Sequence, residues 1–381
     1  VNGLKTLIKN VIGDSYVAPN QGQTQQPVPK SQDDEELAKL VEQLKVNIKI
    51  IGCGGGGSNT INRLTEAGVY GATLIAANTD APHLLQVKSN RKILLGKRTT
   101  RGLGAGADPM VGAESAKEAD EDLRSLVSRS DIVFVTAGMG GGTGTGSAPY
   151  VAQLAKENGA LVIAIVTIPF TAEGKLRMEN ALWGIDRLKK YADTTIVIPN
   201  DKLLELVPRL PLDQAFKVAD EVLMEGLKGL TEIITKPGLV NLDYADIKAI
   251  MDKGGVAMIG IGESEGSTDR VAEAVDDAVN SPLIEADIAQ AKGALIRIVG
   301  DPQMSVTEAQ RAAELIQKRI NPMAKIIWGA SIDPTMEGKI KVLVVLTGVK
   351  SPYILDTSAS LSSMKKAAKI SSVDSNIDII E

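Results

Sequence analysis

Two sets of residues in this chain could do chemistry, and they lie far apart in the sequence. The first set is glycines. Gly54, Gly55, Gly56 and Gly57 run together in "IGCGGGGSNTINRL", Gly102, Gly104 and Gly106 fall in "GLGAGADP", and six more stand between 138 and 146 in "GMGGGTGTG". Each cluster precedes a helical pattern. A helix leaves its first four backbone N–H groups without intrahelical partners, and its dipole puts partial positive charge at that end. Glycine lets the backbone reach an anion and take positive φ. Thr143 and Thr145 add hydroxyls that can donate or help orient a Mg2+ ion. This is phosphate-binding chemistry without lysine, and no G-x-x-x-x-G-K-[ST] sequence occurs in the chain. The second set is "NLDYAD", where the carboxylates Asp243 and Asp246 stand three residues apart with Asn241 beside them.

Plainer readings compete with both. Glycine-rich turns also serve close packing, and Asp243 could simply cap the helix that follows it. Gly52, Gly54 and Gly57 fit a dinucleotide fingerprint, with Asp80 near the place of a ribose-binding acid. Taken alone, that points to an NAD(P)-dependent oxidoreductase. Three glycine clusters at the C-terminal edge of one parallel sheet, where such sheets bind ligands, outweigh an accidental origin.

The elements that must hold these residues alternate. Strands are expected at 46–52, 72–80, 91–96, 131–138, 160–169 and 194–200, with helices after the first glycine cluster, over 110–129, after the 138–146 cluster and over 172–191. That order predicts an α/β fold, a Rossmann-like, doubly wound parallel sheet covered on both faces. A long apolar-striped helix over 212–235 stops at Pro237 and Gly238. Four further strands ("GGVAMIGIGES", "KGALIRIVGD", "MAKIIWGASID", "KIKVLVVLTGV") and helices at 268–280 and 305–319 read as a second, smaller α/β domain. The domain plan is therefore a nucleotide-binding domain over 35–211, the central helix, and a C-terminal domain over 236–350. Residues 1–13 place Leu4, Leu7, Ile8, Val11 and Ile12 on one helical stripe, a candidate membrane- or partner-binding helix. Residues 14–34 read as a flexible linker and 351–381 as a disordered tail.

Composition narrows the class. The 381 residues carry a net charge of −5 and a pI of about 5.3, which argues against nucleic acid as a partner. Aromatics are only 3%, so the core must be aliphatic. The single cysteine, Cys53, excludes an intrachain disulfide and fits a reducing cytoplasm. One histidine, His83, and one cysteine make a His/Cys metal cage implausible, so no protein-held metal site is expected. No apolar run reaches the roughly 18 residues of a membrane span, and no secretory signal is visible.

At "GGGTGTGSAP" the chain resembles the tubulin superfamily, and it is closer to the FtsZ branch of prokaryotic cell-division GTPases, in an archaeal form. The likeness runs from about 46 to 350 through "GCGGGGSN", "NTDA", "GLGAGADP", "PFTAEGKLR", "IPNDKLL" and "PGLVNLDYADI". It implies GTP and GDP as ligands, Mg2+ beside them, and a tubulin/FtsZ-like fold. The matching nucleotide-binding positions are Gly54, Gly55, Gly56, Gly57, Ser58 and Asn59, then Gly140, Gly141, Gly142, Thr143, Gly144 and Thr145. Asn78, Asp80, Gly104, Ala105, Gly106 and Asn200 join them from the intervening motifs. Glu173 and Arg177 match ribose-side contacts, although their i, i+4 spacing alone would suggest a surface ion pair.

By the same resemblance Phe216 stacks on the base and Asp220, on the same helix face, reads it. A carboxylate accepts from guanine's ring N–H and exocyclic amine, and adenine offers no such donor pair. Two positions depart from the family pattern: bacterial members often carry Asn where Asp220 stands, and Ser58 replaces a common glycine. The 212–235 helix should span about 36 Å, so Asp243, Asp246 and Asn241 at its far end cannot reach the nucleotide bound near its start. The resemblance implies that these residues complete the GTP site of the next subunit in a head-to-tail homopolymer, which would act in the cytoplasm at a mid-cell division ring. Membrane-tethering or division partners are expected at the termini. A non-catalytic tubulin-like filament protein is the remaining alternative.

Overall fold

Strand β1 (Ile48–Cys53) is buried along nearly its whole length and pairs in parallel with β2 (Ala72–Asn78) on one side and β4 (Ile132–Gly138) on the other. A strand buried on both faces has no polar side to alternate, which is why "IKIIGC" reads as a continuous apolar run. The computed structural model describes residues 45–349, apart from 207–210, 237, 241, 267–268 and 285. The helix, linker and tail expected at 1–13, 14–34 and 351–381, and Asn241, lie outside the described residues.

β3 (Arg91–Leu94), β5 (Leu161–Ile168) and β6 (Thr194–Pro199) complete a parallel half in the order β3-β2-β1-β4-β5-β6. Strand order reverses between β1 and β4, and a crevice opens there at the strands' C-terminal ends. One face is covered by α1 (Gly54–Glu66) and the long α8 (Leu212–Thr235), with the short α2 (Ala81–Gln86) at the β2 end. The other face carries α3 (Pro109–Glu118), α4 (Asp120–Val127), α5 (Thr143–Glu157) and α6 (Lys175–Leu188). The short α7 (Asn200–Leu206) leaves β6.

Two expected helices are interrupted. The 110–129 helix breaks at Ala119 into α3 and α4. The 172–191 helix is a single 3-10 turn at Thr171–Glu173 followed by α6, because Gly174 between them takes φ +96, outside the helical region. Conversely, the helix expected to begin at Ser58 starts four residues earlier, at Gly54, directly after β1. The first glycine cluster is therefore a helical turn and not a loop.

The second half does not form a separate sheet. After α9 (Tyr244–Met251), the eleven-residue β7 (Gly255–Glu265) pairs in parallel with β6 near its start and antiparallel with β10 (Lys339–Thr347) along its length. β8 (Gly293–Gly300) and β9 (Lys325–Ile332) continue beyond β10, giving one sheet of ten strands. β7 is long enough to serve both neighbours, and so the two halves are continuous. α10 (Arg270–Val279) and α11 (Val306–Gln317) cover this half.

α8 joins the halves. Its buried residues Ala215, Ala219, Leu223, Leu227 and Leu230 recur at helical spacing on one face. Near its end the buried Glu232 is 2.6 Å from Arg297 of β8 and 2.8 Å from Lys236.

Candidate functional site

The N-termini of α1 and α5 leave adjacent strands and meet at the crevice. A Cβ added at Gly54 would sit 2.6 Å from the Gly144 nitrogen, and one at Gly56 would sit 3.2 Å from that of Gly138. Only bare backbone allows this approach. Neither helix has a side-chain N-cap or an acidic residue in its first turn. By contrast α2, α3, α9, α10 and α11 are capped by Asp80, Asp108, Asp243, Asp269 and Ser305. Two sets of first-turn N–H groups thus point at one space without an internal acceptor, a ready anion site.

That space is a cavity of about 400 Å3. Gly55, Gly56 and Asn59 line one side of it and Gly141, Gly142, Thr143 and Gly144 another. A Cβ at Gly55 or Gly141 would touch no protein atom within 4 Å; it would project into the cavity, where the missing side chain leaves room for phosphate oxygens. The Thr143 hydroxyl lies 2.6 Å from that of Thr79.

Across the cavity stand Phe216 and Asp220 of α8, with Glu173, Arg177 and Asn200 along the wall between. Phe216 is held by an edge-to-face contact with the buried Phe170, ring centroids 5.2 Å apart, which leaves a ring face for stacking. Burial pushes the Asp220 carboxyl up to about 6, against the opposing pull of Arg63 and of a hydrogen bond from Asn59. The Arg63 guanidinium lies 3.8 Å from Asp220 and 2.9 Å from Glu221. Glu173 is paired with Arg177 and also accepts from the backbone N–H of Phe170. Asn200 is buried, and its side-chain oxygen has no partner among the protein atoms. A buried acceptor of this kind calls for a donor from a ligand.

Other expected site residues support the wall instead of forming it. Gly54 makes the close approach just described. Gly57 lets α1 pack on β1 and β4, since a Cβ there would lie 2.5 Å from the Thr136 carbonyl, and Ser58 is fully buried beside it. Thr145 accepts from the Gly140 N–H at 2.8 Å, which folds the second glycine loop onto its own helix. Gly104, Ala105 and Gly106 sit behind that loop: a Cβ at Gly142 would meet the Ala105 Cβ at 2.9 Å. Asn78 is buried and accepts from the Thr79 N–H, and Asp80 caps α2. Asp80 accepts the His83 N–H on one carboxylate oxygen, and it does not line the cavity.

Sequence reasoning missed Thr167 and Pro169, which line the cavity from the end of β5, and Arg63 behind Asp220. Arg63 lies four residues after Asn59 on α1, and that spacing was the available signal.

Asp243 and Asp246 sit at the start of α9, and both act as caps. Asp243 accepts from the Asp246 N–H at 2.8 Å, and Asp246 accepts from the Asp243 N–H at 3.3 Å. The capping role expected of Asp243 alone is therefore shared. The preceding segment is pinned to β9 by a bridge between Val240 and Ala330. From Asp220 at the cavity to Thr235 at its end, α8 carries the chain about 22 Å away before these acids are reached.

A model of the tubulin/FtsZ family GTPase domain matches residues 47–208, and a model of the FtsZ family C-terminal domain matches 255–350. The chain is 54% identical over 348 residues to cell division protein FtsZ 1 of Pyrococcus furiosus, covering 91% of this chain and 93% of that one. It is 55% identical over 322 residues to cell division protein FtsZ 1 of Archaeoglobus fulgidus, covering 84% and 87%. Among solved structures, an empty FtsZ dimer of M. jannaschii matches with a TM-score of 0.80 at 53% identity, over 84% of this chain and 92% of that one. A GTPγS-bound protofilament of CetZ2 from Haloferax volcanii shares the fold with a TM-score of 0.72 at 21% identity, over 86% of this chain and all of that one.

Proposed function

The chain belongs to the FtsZ branch of the tubulin/FtsZ family, and from that membership we propose how its geometry serves a GTP-hydrolysing, self-associating cell-division protein. The observation that carries the reading is the convergence of two uncapped helix N-termini on one cavity whose opposite wall holds Phe216 and Asp220. The first turns of α1 and α5 bind the triphosphate through backbone N–H groups. Phe216 stacks on guanine and ionised Asp220 accepts from its N–H donors. Asn200, Glu173 and Arg177 hold the ribose side.

A Mg2+ ion would be held mainly by the substrate phosphates and its own waters, where it would offset their charge. The Thr143 hydroxyl is the side-chain oxygen at that end of the cavity.

Among the described residues, the lining side chains include no group free to activate a water. Glu173 is engaged by Arg177, and Asp220 belongs to the base. The acids that do this work are Asp243 and Asp246 of a second protomer, with Asn241 beside them, brought by a head-to-tail contact. A repeated heterologous contact that does not close gives a filament, so hydrolysis follows assembly. The protein acts at the division site in mid-cell. Partners engaging 1–34 or 351–381 tie it to the membrane; among the described residues no helix is long and apolar enough to cross one.

Sedimentation in GTP against GDP, with phosphate release measured in parallel, tests this reading. Turnover should rise more steeply than protein concentration, and NADH should not bind. Full turnover by an unassociated protomer would end the shared-site reading.

A further inference from the structure

His83 is the chain's single histidine. It lies half-buried on α2, and its ring bridges two asparagines. Nδ1 is 3.0 Å from Asn78 Nδ2, and Nε2 is 3.0 Å from Asn59 Oδ1.

The direction of these bonds is forced from the Asn78 end. The backbone N–H of Thr79 donates to Asn78 Oδ1 at 2.9 Å, and that of Asp80 at 3.4 Å. A backbone N–H can only donate, so Asn78 turns its NH2 toward the ring. Nδ1 therefore accepts, and the neutral imidazole carries its proton on Nε2, which donates to Asn59 Oδ1. Asn59 is left with its NH2 to offer Asp220, which lines the same cavity. The ionised Asp220 carboxylate only accepts, and Asn59 pulls that carboxyl down against burial. Three hydrogen bonds thus run one way, from the β2–α2 turn to Asn59, and the Asn59 NH2 is what remains to face Asp220 across the floor of the cavity.

We propose that His83 is a positioning residue for guanine recognition: its ring fixes the Asn59 amide so that Asn59 donates to Asp220 and holds that carboxylate oriented for the base. The proposal rests on Asp220 reading guanine. An unheld Asn59 amide can rotate and present its oxygen to the carboxylate, which repels it. A doubly protonated ring would set an Nδ1–H against the Asn78 NH2 and break the relay at its second bond. The charged groups around the chain of bonds are Asp80, whose carboxylate accepts from the His83 backbone N–H, Arg63 on α1 and Glu221 next to Asp220.

The test uses the full chain with His83→Gln, His83→Leu and Asp220→Ala, measuring GTP binding by calorimetry between pH 5.5 and 8. Glutamine can accept from Asn78 through its oxygen and donate to Asn59 through its NH2, so His83→Gln should bind within about twofold of the parent. His83→Leu should bind about 5–10-fold more weakly at pH 7.5, as expected for one lost hydrogen bond. Its acid-side midpoint should also move upward, because Asp220 has lost a donor; a merely structural role would not produce that shift. Parent-like affinity and midpoint in His83→Leu, or equal weakness in His83→Gln and His83→Leu, would overturn the relay. Undiminished binding by Asp220→Ala would instead overturn the base-reading assignment, so the two failures are distinguishable. Nitrogen NMR of the lone histidine in the unmutated protein gives a check that needs no variant. It should show Nε2 protonated and Nδ1 bare, and the opposite tautomer refutes the proposal.

Discussion

Asp243 and Asp246 each accept a hydrogen bond from the other's backbone N–H, at 2.8 and 3.3 Å, and together they cap the first turn of α9. The reciprocal bonds fix both carboxylates relative to the helix and hold the acidic loop in shape before any neighbour arrives. The chemistry proposed for Asp243 and Asp246 therefore falls on side chains that already carry a structural duty, and the two can be separated by substitution.

Asp246→Ala should retain GTP binding, lose about 100-fold or more of turnover, and lose about 0.5–1 kcal/mol of stability with the cap. Asp246→Asn keeps an oxygen that can accept from the Asp243 N–H, so its stability should stay near the parent's while turnover still falls. Denaturant unfolding beside phosphate release makes the separation. Asp246→Asn with undiminished turnover would remove the carboxylate from the reaction.

Gly55→Ala isolates the phosphate cradle. A Cβ there meets no protein atom within 4 Å, and alanine is the better helix former. The variant should be at least as stable as the parent yet bind GTP at least about tenfold more weakly, because the methyl group takes phosphate space. Mixed with Asp246→Ala it should recover part of the lost turnover, since Gly55→Ala lends intact acids to Asp246→Ala pockets. No recovery in the mixture would count against sharing between protomers.

Asp220 gives a pH prediction. Burial raises its carboxyl well above the ordinary aspartate range, to about 6. Its contribution to folding is fully present below the unfolded value and is lost as pH rises through about 6, where the ionised form becomes a buried cost. Guanine binding needs that ionised form, so GTP affinity should weaken as pH falls through the same region. Asp220→Asn should therefore gain about 1–2 kcal/mol of stability without nucleotide at pH 7.5, and should lose GTP affinity and the acid-side dependence together. Thermal melts and calorimetry across pH 5 to 8 would show it.

Cys53 is fully buried at the end of β1, and burial pushes its thiol up to about 12. It should resist thiol reagents at pH 8 in the folded protein and react only after unfolding. Rapid labelling of native protein would mean that the α1–α5 junction opens.

Much of this was legible in the sequence because it follows from local rules. Apolar runs gave the strands, and the glycine clusters before helices marked the crevice. Phe216 and Asp220, four apart, do face one cavity. What was not legible depended on distant contacts. The "GLGAGADP" cluster buttresses the second loop from behind, and only the packing of Gly142 on Ala105 reveals this. The continuity of the sheet was hidden for the same reason, because nothing in "GGVAMIGIGES" shows that its first residues lie beside β6.

That junction has a mechanical consequence. β6 and β7 are joined through three residue pairs, from Thr194 with Gly255 to Ile196 with Ala257, whereas β7 and β10 share nine. In a filament, one neighbour pulls on the half holding the nucleotide and the other on the half holding the acidic loop. Tension along such a strand of subunits would pass between the halves through this short seam together with α8 and the aliphatic core packed against both. The greasy contacts, more than the ladder, would have to bear the load.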